Sequence, residues 1–191
     1  MEIREFPLAN PNFPPRTLKL TESWIDFPDN DSLAVCVCFA GCQNSCLGCQ
    51  SPELQDYRHP DCVLWDNLRT MRDEIARHCL RNHTNKVVFS GGDPLASFNR
   101  DNARALLDML YDKYDVCVYT GFSIDEVKKM GLRFKFVKCG KFDLKSKRKS
   151  FKTDDVFCLA SPNQNFYDSN YDLISKDGIL CFENTMERIL K

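Results

Sequence analysis

The sequence predicts an α/β protein with a mostly parallel sheet, on three observations. Short β-rich runs alternate with longer segments whose apolar residues recur at helical spacing, the pattern of βα units. The first strong run, residues 33–39, is apolar on both faces, as in a strand buried within such a sheet. The composition, 43% hydrophobic and 12% aromatic in 191 residues, supplies a core for one domain.

Taken in order, residues 1–32 carry Pro7, Pro11, Pro14, Pro15 and Pro28. They read as an irregular lead-in with one short strand near residues 18–20, and residues 33–191 then form a single domain. After the strand at 33–39, Asp61 is placed to cap a helix bearing Leu64, Leu68, Met71, Ile75 and Cys79. Residues 86–90 form the next strand. A second amphipathic helix carries Ala103, Leu106, Leu107, Leu110, Tyr111 and Tyr114, and leads into a strand at 116–119. Ser123 and Glu126 have the spacing of a capping box for a short helix ending near Met130 and Gly131. Further strands are expected at 134–137, 156–160 and 179–182. A last helical turn or two, opened by Asn184, carries Met186, Ile189 and Leu190.

Charge narrows the function. Acidic residues number 27 and basic residues 26, for a net charge of −1. A nucleic-acid-coating protein needs a basic surplus or stripe, so no nucleic-acid partner is expected. The longest apolar run, residues 33–42, is half the length of about 20 that a membrane helix requires, and no export leader is evident. A cytoplasmic, soluble chain without membrane contact is therefore expected. Its 11 cysteines are then expected to be thiols, and an odd number fits a disulfide framework poorly.

In parallel α/β sheets ligands sit in the loops after the strands. The first such loop holds Cys42, Cys46 and Cys49, a C-x3-C-x2-C spacing among Gly41, Gln43, Asn44, Ser45 and Gly48. Three close thiolates can wrap one metal centre. The spacing lacks both the paired knuckles of a zinc ribbon and the fourth cysteine of a ferredoxin-type cluster. Cys36 and Cys38 share one face of the preceding strand and could complete a zinc site with the loop. Cys79, Cys117, Cys158 and Cys181 read as buried thiols. The second loop is Ser90-Gly91-Gly92-Asp93-Pro94-Leu95. Its glycines let bare backbone approach a ligand, and Asp93 offers a carboxylate to an ammonium group.

Together these two loops resemble those of radical S-adenosylmethionine enzymes, and more narrowly of the activases that serve anaerobic ribonucleoside-triphosphate reductases. The resemblance runs through ESWIDFPD (22–29), CFAGCQNSCLGCQSPELQD (38–56), VVFSGGDPL (87–95), VYTGFSIDEV (118–127), VKCGKFD (137–143) and LASPNQ (159–164). It implies a partial (βα) barrel of radical SAM type. Cys42, Cys46 and Cys49 would ligate a [4Fe-4S] cluster, with S-adenosyl-L-methionine chelating the open iron. Gly91, Gly92 and Asp93 would hold the cofactor's amino group, and Gly48 and Gln50 would lie against its adenosyl moiety. Ser90, Thr120, Ser161 and Asn163, in the same matching segments, complete the expected cofactor contacts. Two positions depart from the family pattern. Gln50 stands where Tyr or His is usual, and Asp26-Phe27-Pro28-Asp29 replaces a glycine-rich turn.

The implied reaction is reductive cleavage of the sulfonium, followed by hydrogen abstraction from a glycine of the partner reductase, with a flavodoxin or ferredoxin-type electron donor. Such chemistry is carried by the cofactor and needs a dry cleft rather than a catalytic base. His59, His78 and His83 accordingly read as surface residues. The basic run of Lys141, Lys145, Lys147, Arg148, Lys149 and Lys152 reads as a solvated loop or as a docking element for an acidic partner. The alternatives are another small radical enzyme, either a formate-lyase-type activase or a small-molecule modifier, and a zinc-binding adaptor module.

Overall fold

The structure, a computed structural model, describes residues 7–23, 27–28, 33–149, 152–153 and 156–181. Two short strands, β1 (Arg16–Thr17) and β2 (Thr21–Ser23), precede β3 (Ala34–Phe39). A 3-10 turn at Pro52–Gln55 is followed by β4 (Val63–Leu64) and α1 (Leu68–Arg81). Next come β5 (Lys86–Gly91), α2 (Arg100–Leu110), β6 (Asp115–Tyr119), α3 (Ile124–Met130) and β7 (Phe136–Cys139). The chain continues through β8 (Lys152–Thr153), β9 (Val156–Cys158), β10 (Asn165–Asp168) and β11 (Ile179–Cys181).

The main sheet is mixed. Its centre is parallel, β3 beside β5, β5 beside β6 and β6 beside β7. Antiparallel strands flank it, β10 on β7, and β1 and β2 on β3 with β4 beyond β1. Each βα unit moves one strand across in the same direction. The period-2 alternation of β-strands then sorts side chains between two faces. Val35, Val37, Phe39, Val87, Phe89, Val116, Val118 and Val137 pack with α1, α2 and α3. The opposite face carries Ala34, Cys36, Val88, Cys117 and Phe136, covered by Phe157, Leu159, Phe166 and Leu180. Phe157 and Leu180 belong to a small antiparallel sheet of β8, β9 and β11. A cleft lies at the C-terminal ends of the parallel strands, and Phe157 and Leu159 of that cover reach its lining.

α1 is held by Leu68, Met71, Ile75 and Cys79, all at most 2% exposed. Its cap is Asn67, whose side chain accepts from the Arg69 and Thr70 N–H groups at 2.7 and 3.4 Å. The expected cap at Asp61 is therefore displaced. Residues 63 and 64 pair with Thr17 and Arg16 instead of coiling, and Leu64 is exposed rather than on the helix core. The strand expected at 18–20 is likewise replaced by β1 and β2 on either side of it, which pair with opposite ends of β3. Tyr114 follows α2 rather than lying on it, β7 lies two residues later than expected, and β9 ends at Cys158.

α3 has its capping box and a left-handed Gly131 at its C-cap. Among the described residues no helix is long and apolar enough to cross a membrane. The helix opened by Asn184 lies outside the described residues, as does part of the 22–29 segment.

Candidate iron–sulfur site

The cysteine loop leaves β3 through Ala40 and Gly41 and is closed at its base by its own far end. The Gly41 N–H donates to Leu54 O at 2.7 Å and the Cys42 N–H to Gln55 O at 3.2 Å. Leu54, 2% exposed, anchors the returning turn in the interior. At the tip the Cys49 N–H donates to Cys46 O, and Gly48 adopts φ +72°, the left-handed conformation this tight C-x2-C turn requires.

The glycine turn after β5 packs directly beneath this loop. The Gly92 N–H donates to Phe39 O at 2.7 Å and the Asp93 N–H to Gly41 O at 2.9 Å. A Cβ at Gly92 would sit 2.5 Å from Leu54 O, so only glycine lets the two backbones meet. Asp93 then joins three loops. Its carboxylate accepts from the Leu95 N–H at 2.9 Å, the Thr120 hydroxyl at 2.9 Å, the Gly121 N–H at 2.9 Å and the Asn44 amide at 2.7 Å. Burial pushes this carboxyl above its ordinary range, against the lowering effect of those donors. Cys42 is also raised by burial, opposed chiefly by its hydrogen bond from the Asn44 backbone.

Cys42, Cys46 and Cys49 are half-buried and face one cleft of about 520 Å³. Gln50, Ser90, Gly91, Gly92 and Thr120 line it with them. Gly48, Asp93, Ser161 and Asn163 do not. Gly48 and Asn163 are exposed, Gly48 beside Leu144 and Asn163 donating to Lys141 O, while Asp93 and Ser161 are buried, Ser161 accepting from the Asp143 N–H. Lys138, Tyr119 and Gln164, which nothing in the motif spacing singles out, also line the cleft. Lys138 projects from β7 with Nζ 3.3 Å from Gly140 O and 5.6 Å from the Tyr119 ring centre, and burial lowers its pKa. Its one signal in the sequence was a charged residue inside an otherwise apolar strand.

Of the other cysteines, Cys36 is buried in the core, while Cys38 lines the cleft with Sγ 3.7 Å from Ser90 Oγ. Cys79 and Cys117 are buried as expected. Cys158 is half-buried and lines the cleft, a departure explained by its place at the end of β9, and the Cys181 side chain lies outside the described residues. His78 is not a plain surface residue. Its ring sits between Glu22 (2.7 Å) and Glu74 (3.4 Å), joining β2 to α1.

Among the described residues no three His, Cys, Asp or Glu side chains converge closely enough to hold one metal ion. The donor set suits a polynuclear cluster, which takes thiolates on separate irons and needs a cleft to sit in. The chain matches the 4Fe-4S single cluster domain family over residues 32–166 and belongs to that family. A curated relative is the anaerobic ribonucleoside-triphosphate reductase-activating protein of Enterobacteria phage T4. It is 22% identical over 108 residues, which cover 55% of this chain and 67% of the relative.

Proposed function

We propose that this protein is a radical S-adenosylmethionine activase that places a glycyl radical on an anaerobic ribonucleotide reductase. The observation that carries the reading is the convergence of Cys42, Cys46, Cys49, Gly91 and Gly92 on one cleft at the C-terminal ends of parallel strands. The family match and the phage T4 relative support it. The one-directional order of β3, β5, β6 and β7 suits a partial barrel.

In this reading Cys42, Cys46 and Cys49 would hold the cluster as its three protein ligands and leave it open to the nucleotide. When bound, the pair supplies one-electron cleavage of the sulfonium S–C5′ bond and removal of a hydrogen from a glycine α-carbon. The chain's own work is placement and exclusion. Gly91 and Gly92 admit the methionine end against bare backbone, with Asp93 fixing that turn from behind. Ser90 and Thr120 add polar contacts. Lys138 lines the cleft with Nζ 3.3 Å from Gly140 O and offers its amine to the nucleotide's carboxylate. Exposed Gln50 lines the cleft toward the adenosyl end, beside Gly48, and Ser161 and Asn163 brace the wall segment at residues 141–143. Phe157 and Leu159 give the cleft apolar lining that limits water around the reacting atoms.

Lys141 lines the cleft and opens an exposed basic run with Lys145, Lys147 and Lys149 that attracts an acidic partner surface. A flavodoxin or ferredoxin-type protein supplies the electron. The test is anaerobic incubation with S-adenosylmethionine, a reductant and the reductase. The expected result is 5′-deoxyadenosine together with a glycyl radical signal on the reductase. Cofactor consumption that yields a modified small molecule without that partner would overturn the reading.

A further inference from the structure

The Cys42 sulfur is tied to Asp93 through one side chain. The Asn44 backbone N–H and its side-chain amide both lie 3.4 Å from Cys42 Sγ as donors. The same amide nitrogen donates to Asp93 Oδ2 at 2.7 Å. An amide nitrogen carries two hydrogens, so it can serve both acceptors at once. Behind it Gly121 allows no slack, since a Cβ there would sit 2.5 Å from Asn44 Cγ. Asn44 thus stands between the Cys42 sulfur and the Asp93 carboxyl, with one amide hydrogen available to each.

We propose that Asn44 is a positioning residue that sets the cluster's reduction potential from the Cys42 corner, by keeping two N–H groups on that sulfur and anchoring one of them to Asp93. The inference rests on Cys42 being a cluster ligand. Reduction adds negative charge that spreads onto the ligating sulfurs, and donors aimed at a sulfur stabilise the reduced form more than the oxidised one. Outer groups that hydrogen-bond a ligand tune the metal in this way. Removing the amide donor therefore moves the potential negative.

The experiment is a potentiometric titration of the reconstituted cluster, followed by electron paramagnetic resonance, in the parent, Asn44→Ala and Gly121→Ala. Asn44→Ala keeps the backbone donor and loses the amide. Gly121→Ala keeps the amide and displaces it. With iron content equal to the parent's, each variant is expected to lower the equilibrium constant for reduction about threefold, roughly 30 mV at 59 mV per decade. If Asn44→Ala takes up too little iron to titrate, Gly121→Ala decides the question. Loaded variants whose potentials equal the parent's would overturn the inference alone. A parent that takes up no cluster would overturn the ligand reading, and this inference with it.

Discussion

Replacing Asp93 by alanine tests whether the three loops of the site stand on one carboxylate. The side chain is 1% exposed and accepts from four donor groups, on Leu95, Thr120, Gly121 and Asn44. Hydrogen bonds to a charged group contribute about 1.5–3 kcal/mol each, which would give a gross loss of roughly 6–12 kcal/mol. Two effects reduce it. Removing the carboxylate releases several kcal/mol of burial cost, and water entering from the cleft can reach Thr120 and Asn44. The net expectation is about 3–5 kcal/mol. With a urea slope of about 2 kcal/mol/M, the unfolding midpoint of the metal-free protein should fall by roughly 1.5–2.5 M. The isosteric Asp93→Asn keeps one acceptor oxygen and should fall by about half as much, because its new N–H₂ faces other donors. Iron uptake should drop in both, since Cys42 loses its support through Asn44. A midpoint within about 0.3 M of the parent for Asp93→Ala would refute the reasoning, the error of such extrapolations being far smaller than the effect.

Three further predictions come from other parts of the molecule. Ser123→Ala should cost about 1 kcal/mol through loss of the α3 cap. The Ser123 backbone and hydroxyl hold the Glu126 carboxyl below its ordinary value of 4.5. That part of the cap is full above pH 4.5 and disappears as pH falls through the depressed value, so the parent–variant gap in urea midpoint should narrow in acid. In native metal-free protein at pH 8, Cys79 and Cys139 should resist alkylation in peptide mapping, because burial pushes both thiols up to about 12. Cys46 and Cys49 should react there and become protected once iron is loaded. Neutralising Lys141, Lys145 and Lys147 together should slow activation of the reductase severalfold at low salt and much less at high salt. Equal rates across salt concentrations would remove the docking role.

What the sequence disclosed followed the range of the interactions involved. The α3 capping box was legible because Ser123 and Glu126 find each other within one turn. β3, β5 and β6 were legible because strands buried on both faces read as continuous apolar runs. β1, β2, β4 and β10 were not, since strands of two to four residues are set by pairing partners distant in the chain. The same reason misplaced the α1 cap, because β4 claims residues that could otherwise have coiled.

At the site, spacing singled out Cys42, Cys46, Cys49, Gly91 and Gly92, and all five face the cleft. Spacing could not distinguish a carboxylate that faces a ligand from one that braces the wall. Asp93 braces it, with donors on three separate loops. Lys138 was hidden because its place on the inner face of β7 depends on sheet register, Tyr119 pairing with Lys138.

The central claim is that three cysteines hold an iron–sulfur cluster whose remaining corner accepts a sulfonium nucleotide. It is tested most directly by electron paramagnetic resonance of the anaerobically reconstituted, reduced protein before and after addition of S-adenosylmethionine. The account predicts about four irons per chain and a cluster signal that changes shape on addition, with both lost in the Cys42→Ala, Cys46→Ala and Cys49→Ala variants. A signal that the nucleotide leaves unchanged, or one that survives loss of all three thiols, would contradict it.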